Sequence, residues 1–106
     1  MNSKIHDVLA ELRDRLNQLY GSRLADVVLF GSQARGDAEA GSDVDILIVL
    51  QGPVAPGAEI LKTGPITSSL SLKFNVVLAC TFIPQDRYLA EQSPLLMNVR
   101  REGVRL

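Results

Sequence analysis

Two short apolar runs, Asp26 to Phe30 and Asp43 to Leu50, lie close together in the chain and limit what it can build. The first is stopped by Gly31-Ser32. The second is opened by Asp43-Val44-Asp45, and ten residues separate Ser32 from Asp43. Both runs have the length of strands. Ile46 to Leu50 shows no polar alternation, which marks a strand buried on both faces, at the centre of a sheet. Residues 33 to 42 are rich in Gly, Ala and small polar groups and read as a short helical turn followed by a loop. A glycine turn ending one strand and two acids opening the next can hold a polyphosphate at one end and a divalent cation at the other.

The rest of the chain supplies helices to cover such a sheet. Ile5, Val8, Leu9, Leu12, Leu16 and Leu19 recur at helical spacing, with Asn2 or Ser3 as cap and Gly21 as stop. Gln51 to Gly57 is a Pro- and Gly-rich loop. Ala58 to Leu72 has helical apolar spacing, but Gly64-Pro65 is expected to break or kink it. Lys73 to Phe82 reads as a third strand, Gln85 to Glu91 as a short helix, and Ser93-Pro94 as the start of a last helix that Gly103 ends. The expected architecture is an α/β (α+β) domain spanning residues 1–106: a small mixed β-sheet with helices mainly on one face.

Bulk properties exclude several classes. At 106 residues with 46% apolar side chains, the chain is one domain with a real core. Its net charge of −1 comes from interspersed acids and bases, which argues against nucleic acid as partner. The Arg100, Arg101 and Arg105 cluster reads as a basic helix end favoured by the helix dipole. An apolar run such as Ile46 to Leu50 is far shorter than the about 20 residues a membrane span needs. With nothing resembling a signal peptide, a cytoplasmic protein is expected. Cys80 is the single cysteine and reads as a small core filler.

The chemistry concentrates between Gly31 and Asp45. In a strand, side chains two apart share a face, about 6.6 Å apart along the axis. Asp43 and Asp45 therefore point the same way, and two ionised carboxylates so placed repel unless a cation lies between them. Oxygen donors without histidine or cysteine favour magnesium or manganese. Capping of a strand end is the alternative for both acids. It suits Asp43 better than Asp45, because Ile46 to Leu50 follow at once and burying a lone carboxylate is costly. Gly31 lets a phosphate approach the backbone, and Ser32 adds a hydroxyl at an expected helix start, where unpaired amides attract anions. The alternative is an ordinary turn with Ser32 as its N-cap. Arg35 is either a phosphate-pairing fork or a solvated loop arginine. Gly36 and Gly41 read as loop geometry, Asp37 and Glu39 as solvated acids, and His6 as a solvated helix residue.

With Gly31-Ser32, the ten-residue gap, Asp43-x-Asp45, Ala34-Arg35-Gly36 and Ser42-Asp43 all in place, the chain resembles the polymerase-beta nucleotidyltransferase superfamily. Its short length looks like the minimal nucleotidyltransferase branch. The specific match covers residues 31 to 49, with a weaker likeness over the rest, including Pro94 to Gly103. The resemblance implies a polymerase-beta-like nucleotidyltransferase core and a triphosphate substrate, ATP or another NTP. It implies Asp43 and Asp45 as catalytic ligands of Mg2+ or Mn2+, and Gly31, Ser32 and Arg35 on the phosphates. Many members of the branch are antitoxins paired with a small helical HEPN-domain toxin, and some transfer AMP from ATP to its tyrosine. A partner of that kind is the expectation here, with room for a homo-oligomer.

One element departs from the superfamily pattern. A third carboxylate usually sits on a neighbouring strand, yet Leu72-Lys73-Phe74-Asn75-Val76-Val77-Leu78 holds none. Asn75 is the nearest polar group, and an amide cannot serve as a base. Glu59, Asp86 and Glu91 are other acids that could substitute. Two functions are therefore expected in competition: transfer of AMP to a partner's hydroxyl, or a binding module that neutralises a HEPN-type partner by contact. A small-molecule transferase of the aminoglycoside kind ranks last, because those enzymes carry an additional substrate-binding domain.

Overall fold

A computed structural model describes residues 3–36, 38, 41 and 43–106. The alternative cap Asn2, the loop acids Asp37 and Glu39, and Ser42 lie outside the described residues. In chain order the elements are α1 (Ser3–Tyr20), a 3-10 turn (Gly21–Arg23), β1 (Leu24–Phe30), α2 (Ser32–Arg35), β2 (Val44–Leu50), α3 (Pro56–Phe74), β3 (Leu78–Pro84), α4 (Gln85–Ala90), α5 (Pro94–Glu102) and β4 (Val104–Arg105). The strands form one sheet in the order β3-β2-β1-β4. β2 is antiparallel to β1 and parallel to β3, so the sheet is mixed.

β2 is the central strand that its unbroken apolar run requires. Val44 and Ile46 to Leu50 are all fully buried. Residues Val44, Ile46, Ile48 and Leu50 face the long helices α1 and α3, joined there by Val27, Leu29 and Phe82. Leu47 and Val49 face the other way, with Val28 and Ile83, and pack under Leu96 and Val99 of α5. Each fully buried aliphatic side chain contributes about 1.5–3 kcal/mol. The two long helices thus share one face, as expected, and the short C-terminal helices cover part of the other. No helix among the described residues is long and apolar enough to cross a membrane.

Four details correct the sequence reading. Leu19 is 41% exposed, and Tyr20 takes the last buried position of α1. The Tyr20 hydroxyl donates to Glu59 Oε1 of α3 at 3.0 Å, tying the two long helices together. Burial alone would raise the Glu59 pKa. Hydrogen bonds from Tyr20 and the Ala55 N–H, with the charges of Lys62 and Arg23, outweigh it and hold the carboxyl below the usual range.

Second, α3 runs unbroken through Gly64-Pro65. Pro65 removes an N–H and costs a helix interior about 3 kcal/mol, but it lies on the exposed side, where the orphaned carbonyl can reach water. Glu59, Thr63, Ile66 and Leu70 form a buried stripe on both sides of it, so packing decides the outcome.

Third, Lys73 and Phe74 belong to α3 and not to the third strand, and β3 starts at Leu78. Asn75 caps α3 in the left-handed region (φ 53°), with its N–H on Ser71 O. Fourth, Val104–Arg105 adds a short edge strand antiparallel to β1 that periodicity did not signal.

The role of Asn75 is therefore conformational. Asn75→Gly is expected to leave stability unchanged or raise it, whereas Asn75→Val lowers it by about 1–2 kcal/mol, because a β-branched side chain is strained at positive φ. Urea unfolding midpoints of the two variants check this.

Candidate active site

Strand alternation sets the site. Val44 and Ile46 point into the core under α1 and α3, so Asp45 faces the opposite side with Leu47 and Val49. It is the one break in β2's buried run. Its β1 partner is Phe30 and its β3 partner is Ala79. Because Phe30 stands opposite Asp45, the residue after it, Gly31, arrives beside the Asp45 carboxyl.

Gly31 is needed there for two reasons. Its backbone (φ 74°, ψ −157°) lies in a region almost reserved for glycine. A Cβ at that position would also overlap Asp45 Oδ2. The carboxylate therefore sits directly against the turn. Gly31 also occupies the N-cap of α2, and its carbonyl accepts the N–H groups of Ala34 and Arg35 at 3.1 Å each. Ser32 is the first helical residue and not the cap, so its hydroxyl is not committed to capping. Gly36 (φ 80°) closes α2, its N–H on Ser32 O.

The electrostatics of Asp45 follow from this placement. Its pKa is raised, first by burial and then by the neighbouring charge of Asp43, with the Arg35 cation opposing both. Asp43 itself is exposed, just before β2 begins. The two carboxylates feel each other although Asp43 stands outside the strand that the sequence reading began with it, and Arg35 lies close enough to act on Asp45. The guanidinium of Arg35 is held by Glu102 of α5, Nη1 donating to Oε2 at 3.1 Å. Glu102 is missing from the sequence reading of the site. The two residues stand 67 positions apart, and no local pattern links them.

The candidates for a third carboxylate have other settings. Asn75 is the cap of α3, and its backbone carbonyl accepts from Lys4 Nζ at 3.4 Å. Glu59 is tied to Tyr20 near the start of α3. Asp86 follows Pro84, which pairs with Leu50, and so lies at the far end of β2, about 17 Å along the strand from Asp45. Glu91 is bound to Arg87 and to the Ser93 hydroxyl. The β3 residue beside Asp45 is Ala79, which carries no polar group. Among the described residues no group of three or more His, Cys, Asp or Glu side chains is placed to hold a metal ion.

The remaining polar candidates have structural settings. His6 is exposed beside Asp7. Arg100 donates to the carbonyls of Tyr88 and Glu91 at 2.7 Å each, and Arg105 pairs with Asp26 at 2.8 Å. Much of the C-terminal basic cluster therefore braces the fold. Cys80 packs against the core, and burial pushes its thiol up to about 11, leaving it protonated at neutral pH. Hollows of about 510 Å3 beside Gln51 and Pro84, and of about 410 Å3 beside α1 and Leu106, both lie away from the Gly31 turn.

A mixed sheet whose central strand sets Asp45 against a glycine turn, with helices on its faces, defines the class: a small α/β domain. Comparison with known proteins specifies it. The family model "Nucleotidyltransferase domain" matches residues 9–93. The chain is 33% identical over 76 residues to "Putative protein adenylyltransferase MJ0141" of Methanocaldococcus jannaschii, covering 72% of this chain and 76% of that protein. The chain belongs to the nucleotidyltransferase domain family. Its fold also matches a chain of a toxin-antitoxin crystal structure with AMP-PNP at TM-score 0.64, with 16% identity over 98% of this chain and 72% of that one. A structure described as a putative minimal nucleotidyltransferase matches at TM-score 0.61, with 22% identity over 95% of this chain and 94% of that one. At such identities these two likenesses speak for the fold alone.

Two glycines on either side of α2 make a controlled comparison. Gly36→Ala meets open space and carries only the positive-φ strain, about 1–2 kcal/mol. Gly31→Ala adds overlap with Asp45 and is expected to lose about 2–4 kcal/mol. Denaturant unfolding of both variants measures the difference.

Proposed function

We propose that residues 1–106 form a minimal nucleotidyltransferase domain that acts in the cytoplasm and transfers AMP from ATP to a hydroxyl of a partner protein, as the antitoxin of a toxin-antitoxin pair. The observation that carries this reading is the apposition of Asp45 to the Gly31 turn, with Asp43 beside it. A raised carboxyl next to a second acid is a ligand set for a hard cation, Mg2+ or Mn2+. Such an ion would sit between Asp43 and Asp45, where it would neutralise the triphosphate and polarise the α-phosphate. Gly31 gives backbone access to the β- and γ-phosphates, Ser32 adds its hydroxyl, and Arg35 adds a cation. The acceptor hydroxyl gives its proton to water, its oxygen bonds to the α-phosphorus, the bond from that phosphorus to the α,β-bridging oxygen breaks, and pyrophosphate leaves. The protein's part is alignment and charge neutralisation. A small helical HEPN-type protein is the proposed acceptor.

One observation favours a second reading. Ala79 beside Asp45 offers no carboxylate to take the acceptor's proton. A tyrosine, with a free pKa of about 10, would need that help or a metal. On this reading the chain binds nucleotide and masks its partner by contact without transfer.

Label from the α-phosphate of ATP is expected on the partner when magnesium is present. Asp45→Asn should lower that transfer by about 100-fold or more. Magnesium-dependent ATP binding with no label on the correct partner would overturn the transfer reading in favour of contact.

A further inference from the structure

We propose that Glu102, at the end of α5, is a positioning residue for nucleotide binding: through its bond to Arg35 it sets the guanidinium against the Gly31–Ser32 turn. The proposal rests on the reading of that turn as the phosphate site and adds a residue outside the glycine turn and its acids.

The geometry is specific. Glu102 is the last residue of α5, and Arg35 is the last residue of α2, immediately after the turn. Their side chains meet at 3.1 Å, Nη1 on Oε2, and the Glu102 side chain is 24% exposed while that of Arg35 is 44% exposed. Glu102 is also anchored from below. Leu96 and Val99 of the same helix are buried against the sheet face that carries Asp45. Gly103, next in the chain, packs so closely on Val99 O and Val28 Cγ1 that a Cβ there would overlap both. The carboxylate is therefore presented from a rigid element. Arg101 Nη2 lies 3.6 Å from the other Glu102 oxygen and helps hold it.

This arrangement orients the guanidinium. That group carries five N–H donors in a planar fork, so a carboxylate on one nitrogen fixes the plane of the fork. An arginine already held in place loses less side-chain entropy when an anion arrives. The Arg35 charge also reaches Asp45, whose pKa it lowers. Arg35 thus lies between the last helix and the acid pair.

The test is magnesium-ATP binding by calorimetry, with thermal unfolding measured in parallel, for the full chain and four variants. E102Q is expected to weaken binding about threefold and R35A about tenfold or more, with the double variant R35A/E102Q no weaker than R35A alone. The charge-swapped variant R35E/E102R separates positioning from bracing. It should recover unfolding temperature while its binding stays at the R35A level, because the cation has moved to the wrong element. Binding by E102Q equal to or tighter than wild type overturns the proposal, as does additive loss in the double variant. Recovery of binding in the charge swap also overturns it, by assigning the pair to bracing alone. If wild type itself binds no ATP, the phosphate reading of the turn fails and this proposal with it. Wild-type binding that E102Q leaves intact overturns the Glu102 role only.

Discussion

A carboxylate one residue inside a strand buried on both faces is an unfavourable charge, and the arrangement around Asp45 answers to that fact. The side chain is flanked by Leu47 along its own strand face, by Phe30 on β1 and by Ala79 on β3. Burial and the Asp43 charge both disfavour its ionised form. A structural protein would place an apolar residue there at no such cost. Here the position carries an acid, a second acid precedes it, and a residue without a side chain stands directly against it. The Arg35 cation offsets part of that cost.

The fold delivers this through register. β1 and β2 pair antiparallel with Phe30 opposite Asp45, so the turn that ends β1 must pass the carboxylate that opens β2. A shift of one residue would turn Asp45 into the core under α1 and α3 and expose its apolar neighbours. The burial of Val44, Ile46 and Ile48 against those helices therefore also fixes the acid's direction. On the other face, α5 packs through Leu96 and Val99 and carries Glu102 to Arg35. Core packing and site geometry are here the same set of contacts.

Much of this was legible in the chain. The continuous run after Asp45 announced a central strand, and Gly31-Ser32 with Asp43-x-Asp45 pointed to the family that the match over residues 9–93 shows. What escaped local reading had non-local causes. Pro65 stays helical because a buried stripe spans it. Lys73 and Phe74 look strand-like, but they complete α3 before the left-handed Asn75 turns the chain. The two-residue β4 has no periodicity to read and exists because β1 offers it an edge. The alternative of Ser32 as an N-cap does not hold, because Gly31 fills that position, where only glycine tolerates both the backbone angles and the adjacent carboxylate. The Arg35–Glu102 pair joins residues 67 positions apart and has no signature in spacing.

Manganese binding, followed by electron paramagnetic resonance in the presence of AMP-PNP, tests most directly whether the acid pair and the glycine turn form one cation and polyphosphate site. Wild-type protein should bind Mn2+ more tightly with the nucleotide analogue than without it, and Asp45→Asn should weaken that binding by more than about tenfold while the chain stays folded. Equal Mn2+ affinity in folded Asp45→Asn would contradict the account.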